Sequence, residues 1–421
     1  MQNTNDMNKI IIMLMLLDSL TVQAQPVLGI DSILRIIGRN HPSLRSSDAL
    51  AQSLDESAKG ARSWEAPQLS TGWWMTPYDP SLWKRQGNGA SGIGQYMVSA
   101  EQMFPNRRRQ DAEEAYLRSM SAVERAKKGA TANELYAAAR RAYYQWVVAE
   151  HRMGVLDEDA KLLDFMIRDA ELRYKNNLGK IGAYYKAKAA LGNLAGRRIG
   201  LENDVEQVRI ALNTLMNRDK ATAFEVDTAV VVDMPVVGVD SMSLLEGRSD
   251  IRAVSESIRL NGLEQTADRA KLRPEFGVRY DHMFGFGGTP MEYTLMATVR
   301  LPMLSWSSRA SKANVESLKW KAQSLEDERQ AMVNDATGAA YGLQRALDAK
   351  RRQVKVLEEQ VLPALQKNLQ TLELAYEQNT EELLSVYDAW ASLDNTKMEY
   401  WDGVEQVLLM EVELKKVLEV K

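Results

Sequence analysis

The sequence predicts a mainly α-helical protein that also carries membrane-type β-hairpins, built as a two-fold internal repeat. Three observations lead there. Between Pro105 and Asn177 no further proline occurs, and Leu135, Ala139, Ala142, Trp146, Ala149, Met153, Leu156, Ala160, Leu163, Ile167, Ala170 and Tyr174 form an unbroken four-three apolar seam. Such a seam belongs to a helix packed lengthwise on other helices, and at 1.5 Å per residue the run reaches roughly 100 Å. Short segments before each long helix alternate apolar and polar residues, the two-residue period of a strand. Finally, the order helix, two strands, long helix, returning helix occurs twice.

Composition excludes several classes. A net charge of −4 without a basic stripe argues against a nucleic-acid partner. The chain has no cysteine and only His41, His151 and His282, so structural zinc, thiol catalysis and disulfides drop out together. Its 20 methionines are scattered singly, as core filler is, and no metal site or cofactor is expected. No nucleophile–base pair stands out, so no enzyme is expected either.

In order, residues 1–24 read as a secretory signal: Lys9, the apolar run Ile10–Leu17, and Val22-Gln23-Ala24 before cleavage. Met7 is an alternative start. The first repeat spans 25–216. A helix begins at Ile30, with Asp31 and Ser32 as capping candidates and a break at Asn40-His41-Pro42. Strands follow at about 68–78 and 94–104, then a long helix over 105–176 opened by Pro105, a tip, and a returning helix over 181–216. Residues 217–247 lose the heptads, and Val230, Val231, Val232, Val236 and Val237 with Pro235 predict an extended linker. The second repeat, 248–421, has a helix, strands at about 275–283 and 292–301, a long helix over 302–377 and a returning helix over 381–421. Pro363 predicts a kink or register shift. One offset pairs Tyr174 with Tyr376, Asn177 with Asn379, Tyr185 with Tyr387 and Leu191 with Leu393.

The strands carry the chemistry. Phe276, Val278 and Tyr280, and Tyr293, Leu295 and Val299, fall on one face, opposed by Arg279, Asp281, Thr294, Thr298 and Arg300. That pattern, at about nine to eleven residues, fits a barrel strand between lipid and water; an ordinary sheet with one solvated face would alternate in the same way. Four strands cannot close, and open edges cannot sit in lipid, so membrane insertion requires several chains to pool their strands.

Along nearly its whole mature length the chain resembles the TolC-like outer-membrane efflux proteins. The resemblance is carried by Asn40-His41-Pro42, Pro67 and Pro274 before the hairpins, Phe104-Pro105, Leu301-Pro302, Ala211-Leu212-Asn213-Thr214-Leu215, and the tip segments Arg173–Asn177 and Ala375–Asn379. It implies a homotrimer in the outer membrane of a Gram-negative bacterium. A twelve-stranded β-barrel would continue into an α-helical periplasmic tunnel, docked on a periplasmic adaptor and an inner-membrane pump. Such a protein is an exit duct; the rival reading is a periplasmic coiled-coil adaptor or spacer without membrane insertion. Where the family commonly turns at glycine, this chain has Asn177 and Asn379; Gly179 follows the first. The match to the family's acidic constriction falls on Asp388, with Ser385 at the companion position and Lys186 equivalent to Asp388 in the first repeat; a solvated residue paired with a nearby base is the alternative. Trp73, Trp74 and Tyr78 are candidates for an interfacial aromatic belt. The general look of the chain, including Gln102-Met103-Phe104-Pro105, leans towards ducts of heavy-metal resistance-type pumps.

Overall fold

The computed structural model describes residues 27–85, 87–176, 181–229 and 247–420. The signal expected over 1–24, the tip residues Asn177 and Gly179, and the valine run of the linker lie outside the described residues. In chain order the elements are β1 (Val27–Leu28), α1 (Ile30–Asn40), α2 (Pro42–Lys59), β2 (Gln68–Trp74), β3 (Gln95–Phe104), α3 (Arg107–Lys175), α4 (Ile181–Leu215), β4 (Glu225–Val226), α5 (Ser249–Ala270), β5 (Glu275–Gly285), β6 (Glu292–Arg300), α6 (Ser305–Val356), α7 (Leu362–Glu377) and α8 (Leu383–Leu418). They sort into two compact units. One takes in the described parts of 1–42, 134–237 and 342–416; the other takes in those of 43–133, 238–341 and 417–421.

The first unit is helical apart from the short parallel pair β1–β4. Along α3, the seam residues Ala139, Ala142, Trp146, Ala149, Leu156, Leu163 and Ala170 are buried. The alanines let neighbouring helices approach closely, while Trp146, Leu156 and Leu163 fill the space between them. One core joins α3, α4, α7 and α8 through Leu156, Leu163, Leu194, Leu369, Trp390 and Leu393. Another joins Ile33 and Ile37 of α1 to Trp146, Leu212 and Phe224. Each fully buried side chain of this size contributes about 1.5–3 kcal/mol. The seam ends at Tyr174, which is exposed.

Between α6 and α7 the chain winds as a π-turn over Leu357–Val361, immediately before Pro363. Proline has no N–H to donate to a preceding carbonyl and its ring crowds the turn before it. One wider turn absorbs the mismatch and shifts the register of the helix beyond it. The irregularity expected at Pro363 takes this form.

The second unit holds a four-stranded antiparallel sheet in the order β2-β3-β5-β6. Several local expectations need correction. β2 stops at Trp74 rather than near 78, because Met75 takes a left-handed backbone (φ 45°) that a strand cannot continue through. Pro105 does not open α3: Asn106 caps it, its Oδ1 accepting from Arg108 N at 3.0 Å and its carbonyl from Arg109 N at 2.9 Å. Likewise α6 starts at Ser305, with Leu304 O accepting from Ser308 N at 2.8 Å, and Pro302 lies before the cap. Gly29, not Asp31 or Ser32, sits at the N-cap of α1; Asp31 lies in the first turn, where it complements the helix dipole.

Candidate functional site

The sheet sorts its side chains by face. Register places Trp73, Tyr96 and Phe284 in one cross-strand row. Successive rows on that face are Thr71-Val98-His282-Tyr293, Leu69-Ala100-Tyr280-Leu295, Gln102-Val278-Ala297 and Phe104-Phe276-Val299. Phe276, Val278, Tyr280, Tyr293, Leu295 and Val299 are all exposed, Tyr293 at 72% and Leu295 at 67%. A monomer that presents so many large apolar side chains in a block has a face built for something other than water.

Aromatics gather at both ends of this face. Trp73 stacks on Trp83 at 5.4 Å and meets Tyr96 edge-on at 5.3 Å, and Phe286 packs on Trp83 at 5.5 Å. At the opposite end Trp64 meets Phe104 edge-on at 5.2 Å. From Tyr96 to Phe104 the strand advances about 27 Å, or about 21 Å along the normal at a tilt near 40°, close to the apolar band of about 25 Å between the aromatic girdles of a membrane barrel. Trp74 corrects the belt expectation: alternation turns it onto the other face, while Tyr78 lies in the loop, fully exposed.

The reverse face is polar. Arg279 Nε contacts Asp281 Oδ1 at 2.8 Å, and Ser99 donates to the same carboxylate. Glu275 is paired with both Arg109 and Arg300, the latter at 3.0 Å. These acids are buried but fully partnered, which satisfies the condition for keeping charge away from bulk water. Each strand therefore separates an apolar surface from a charged one.

In the helical unit, the turn after α7 is organised around Asn379. It holds a left-handed backbone (φ 56°), while Thr380 N donates to Ala375 O at 2.9 Å and Asn379 N to Tyr376 O at 3.0 Å. That double bond pattern closes the helix as a Schellman motif, with asparagine in the place glycine usually fills. Arg173 of α3 clamps it: Nη1 donates to Asn379 Oδ1 at 2.6 Å, and the guanidinium lies 4.0 Å over the Tyr376 ring. Asp169 completes the cluster, 3.0 Å from Arg173 Nε and accepting from the Tyr376 hydroxyl. Burial first, then the Asp169 contact, holds the Tyr376 phenol protonated well above its ordinary range. Tyr174 is exposed beside this clamp.

Asp388 does not stand alone. Lys186 Nζ lies 2.7 Å from Asp388 Oδ1 and 4.4 Å over the Tyr387 ring. Both side chains remain substantially exposed, so the pair contributes little to stability, about 0.2–1 kcal/mol. Ser385 donates to Glu381 Oε2 at 3.1 Å.

No protein-family model matches the sequence, and neither does any curated protein. Solved structures do. CusC, described in terms of folding and transmembrane channel formation, superposes with a TM-score of 0.73 at 16% identity, covering 95% of each chain. The open state of the MtrE outer-membrane channel from Neisseria gonorrhoeae gives 0.72 at 17% identity, over 92% of this chain and 88% of that one. The outer-membrane protein VceC of Vibrio cholerae gives 0.69 at 16% identity, over 92% and 95%. This chain has the fold of the outer-membrane channels.

Of the tip cluster, the sequence marks Arg173, Tyr376 and Asn379 but not Asp169, which contacts both Arg173 and Tyr376. Asp169 carries a local signal, an acid four residues before Arg173 on one helix face, yet its bond to Tyr376 spans more than two hundred residues. Trp83 ends a short 3-10 turn and Phe286 sits in a hairpin loop, and alternation gives no facing in either. Among the described residues, no group of three or more His, Asp or Glu side chains is arranged to hold a metal ion.

Proposed function

We propose that this chain is one protomer of a trimeric outer-membrane exit duct serving a tripartite efflux pump. The observation that carries the reading is the sheet: an exposed apolar face bounded by aromatics, a charged reverse face, and two unpaired edges, β2 and β6. Unpaired edges are not tolerated in lipid. Three copies, each laying β6 antiparallel to the next β2, would close twelve strands with the charged faces inward. The shared fold of the outer-membrane channels supports the same assembly.

On this reading the helices form the periplasmic tunnel and the Arg173–Asn379 clamp belongs to its tip. Arg173, Tyr174 and Asn379, together with Asn177 and Gly179, are the candidates for docking a periplasmic adaptor, which links the duct to an inner-membrane pump; Tyr376, buried beneath Arg173, positions the clamp instead. Asp388, Lys186 and Ser385 are the candidates for the constriction. The duct performs no covalent chemistry, takes no cofactor, and leaves substrate choice, metal or drug, to the pump. The test is extraction and conductance together: the protein should resist salt washing, require detergent, and form ion-conducting pores in planar bilayers. Release by salt alone would favour a periplasmic spacer instead.

A further inference from the structure

The helical unit buries a pair of acids that neither the sheet nor the tip clamp uses. Asp159 of α3 and Asp394 of α8 are 3% and 4% exposed, on the stretches that supply Leu156, Leu163, Trp390 and Leu393 to the core. Lys397 Nζ donates to Asp159 Oδ1 at 3.3 Å, and Arg197 Nη1 of α4 donates to Asp394 Oδ2 at 2.8 Å. The other two oxygens, Asp159 Oδ2 and Asp394 Oδ1, are buried without a hydrogen-bond partner; Lys397 lies one turn beyond Asp394 on α8 and bonds Asp159 of α3, which brings the two carboxyls to the same level of the α3–α8 contact.

Two ionised carboxylates cannot bond, because each offers only acceptors. A single proton resolves both vacancies at once, with Asp159 Oδ2–H donating to Asp394 Oδ1. The surrounding charges do not supply an alternative. Lys397 is also within 3.9 Å of Glu158, the next acid along α3, and Arg198 of α4 is held by Asp157 and Glu202. Burial, opposed by Lys397 and reinforced by Asp394, pushes the Asp159 carboxyl up to about 6.

We propose that Asp159 and Asp394 form an acid-responsive latch between α3 and α8. With Asp159 protonated, a carboxyl–carboxylate hydrogen bond ties the helices together. When the proton passes to water, two like charges face each other in the core and α8 is pushed away from α3. The folded state therefore binds more protons than the unfolded chain between the ordinary value of 3.8 and about 6. Stability from the latch is present at low pH and lost as pH rises through that window.

Asp159→Asn tests this in the full-length protein in detergent. The amide keeps a donor for Asp394 and an acceptor for Lys397 at every pH. The wild-type melting temperature should fall by roughly 1–2 °C from about pH 5 to about pH 7.5. The variant should lack that fall and match or exceed the wild type at the upper pH. Infrared spectra of the wild type at about pH 5 should show a protonated carboxyl band that the variant lacks. If Asp159 is only the ionised partner of Lys397, the variant will be less stable at both pH values and that band will be absent, which overturns the latch.

Discussion

Leucine 295 is where a charge should do the most damage. It lies in the third of the five rows on the apolar face, opposite Tyr280, and is 67% exposed. Both aromatic ends are two rows away, so under the duct reading it sits near the bilayer midplane. Leu295→Arg would then cost about 2–4 kcal/mol per protomer. Val299 occupies the last row with Phe104 and Phe276, at the aromatic boundary, where Val299→Arg should cost only about 0–1 kcal/mol. Thr298 points to the charged face opposite Gly277, and Thr298→Arg should be tolerated there. The assay is urea titration of each variant folded into lipid vesicles. Costs that rank Leu295→Arg well above Val299→Arg, with Thr298→Arg near wild type, are expected. Equal damage from Leu295→Arg and Thr298→Arg would refute the facing, and with it the membrane reading of the sheet.

Other consequences are local. Asn379→Ala keeps the left-handed turn but adds strain of about 1–2 kcal/mol and removes the bond from Arg173, so hydrogen exchange at the Thr380 amide should accelerate; Asn379→Gly relieves the strain and should perturb it less, and equal acceleration would show that the backbone conformation is not what asparagine supplies. Asp388→Ala should raise single-channel conductance and weaken block by multivalent cations without disturbing assembly, because its contact with Lys186 is largely exposed; unchanged conductance and block would make the pair a surface salt bridge and nothing more.

The strand faces were legible because alternation is a one-dimensional signal: Tyr293, Leu295 and Val299 declare their side of the sheet without knowledge of any neighbour. The helical seam was legible for the same reason from Leu135 to Ala170. Its last member, Tyr174, was not, since a seam cannot report where its packing partners end. Helix starts were misplaced because Pro105 and Pro302 are compatible with a first turn, whereas the actual cap at Asn106 depends on hydrogen bonds to Arg108 and Arg109. The carboxyl pair was invisible. Asp159 and Asp394 fall off the apolar seam and read as ordinary surface acids, and only the lateral packing of helices distant in sequence brings them together in the core.

The native chain contains no cysteine, so engineered thiols can report directly on whether the open edges meet. Ser70→Cys in β2, combined in turn with Thr294→Cys, Met296→Cys or Thr298→Cys in β6, places pairs on the charged face of the two edge strands. If three protomers close one barrel, oxidation in native membranes should link each chain to both neighbours for at least one combination, giving a covalent ladder that stops at the trimer. Chains that remain monomeric for every combination, or a ladder that ends at another number, would contradict the closed twelve-stranded duct.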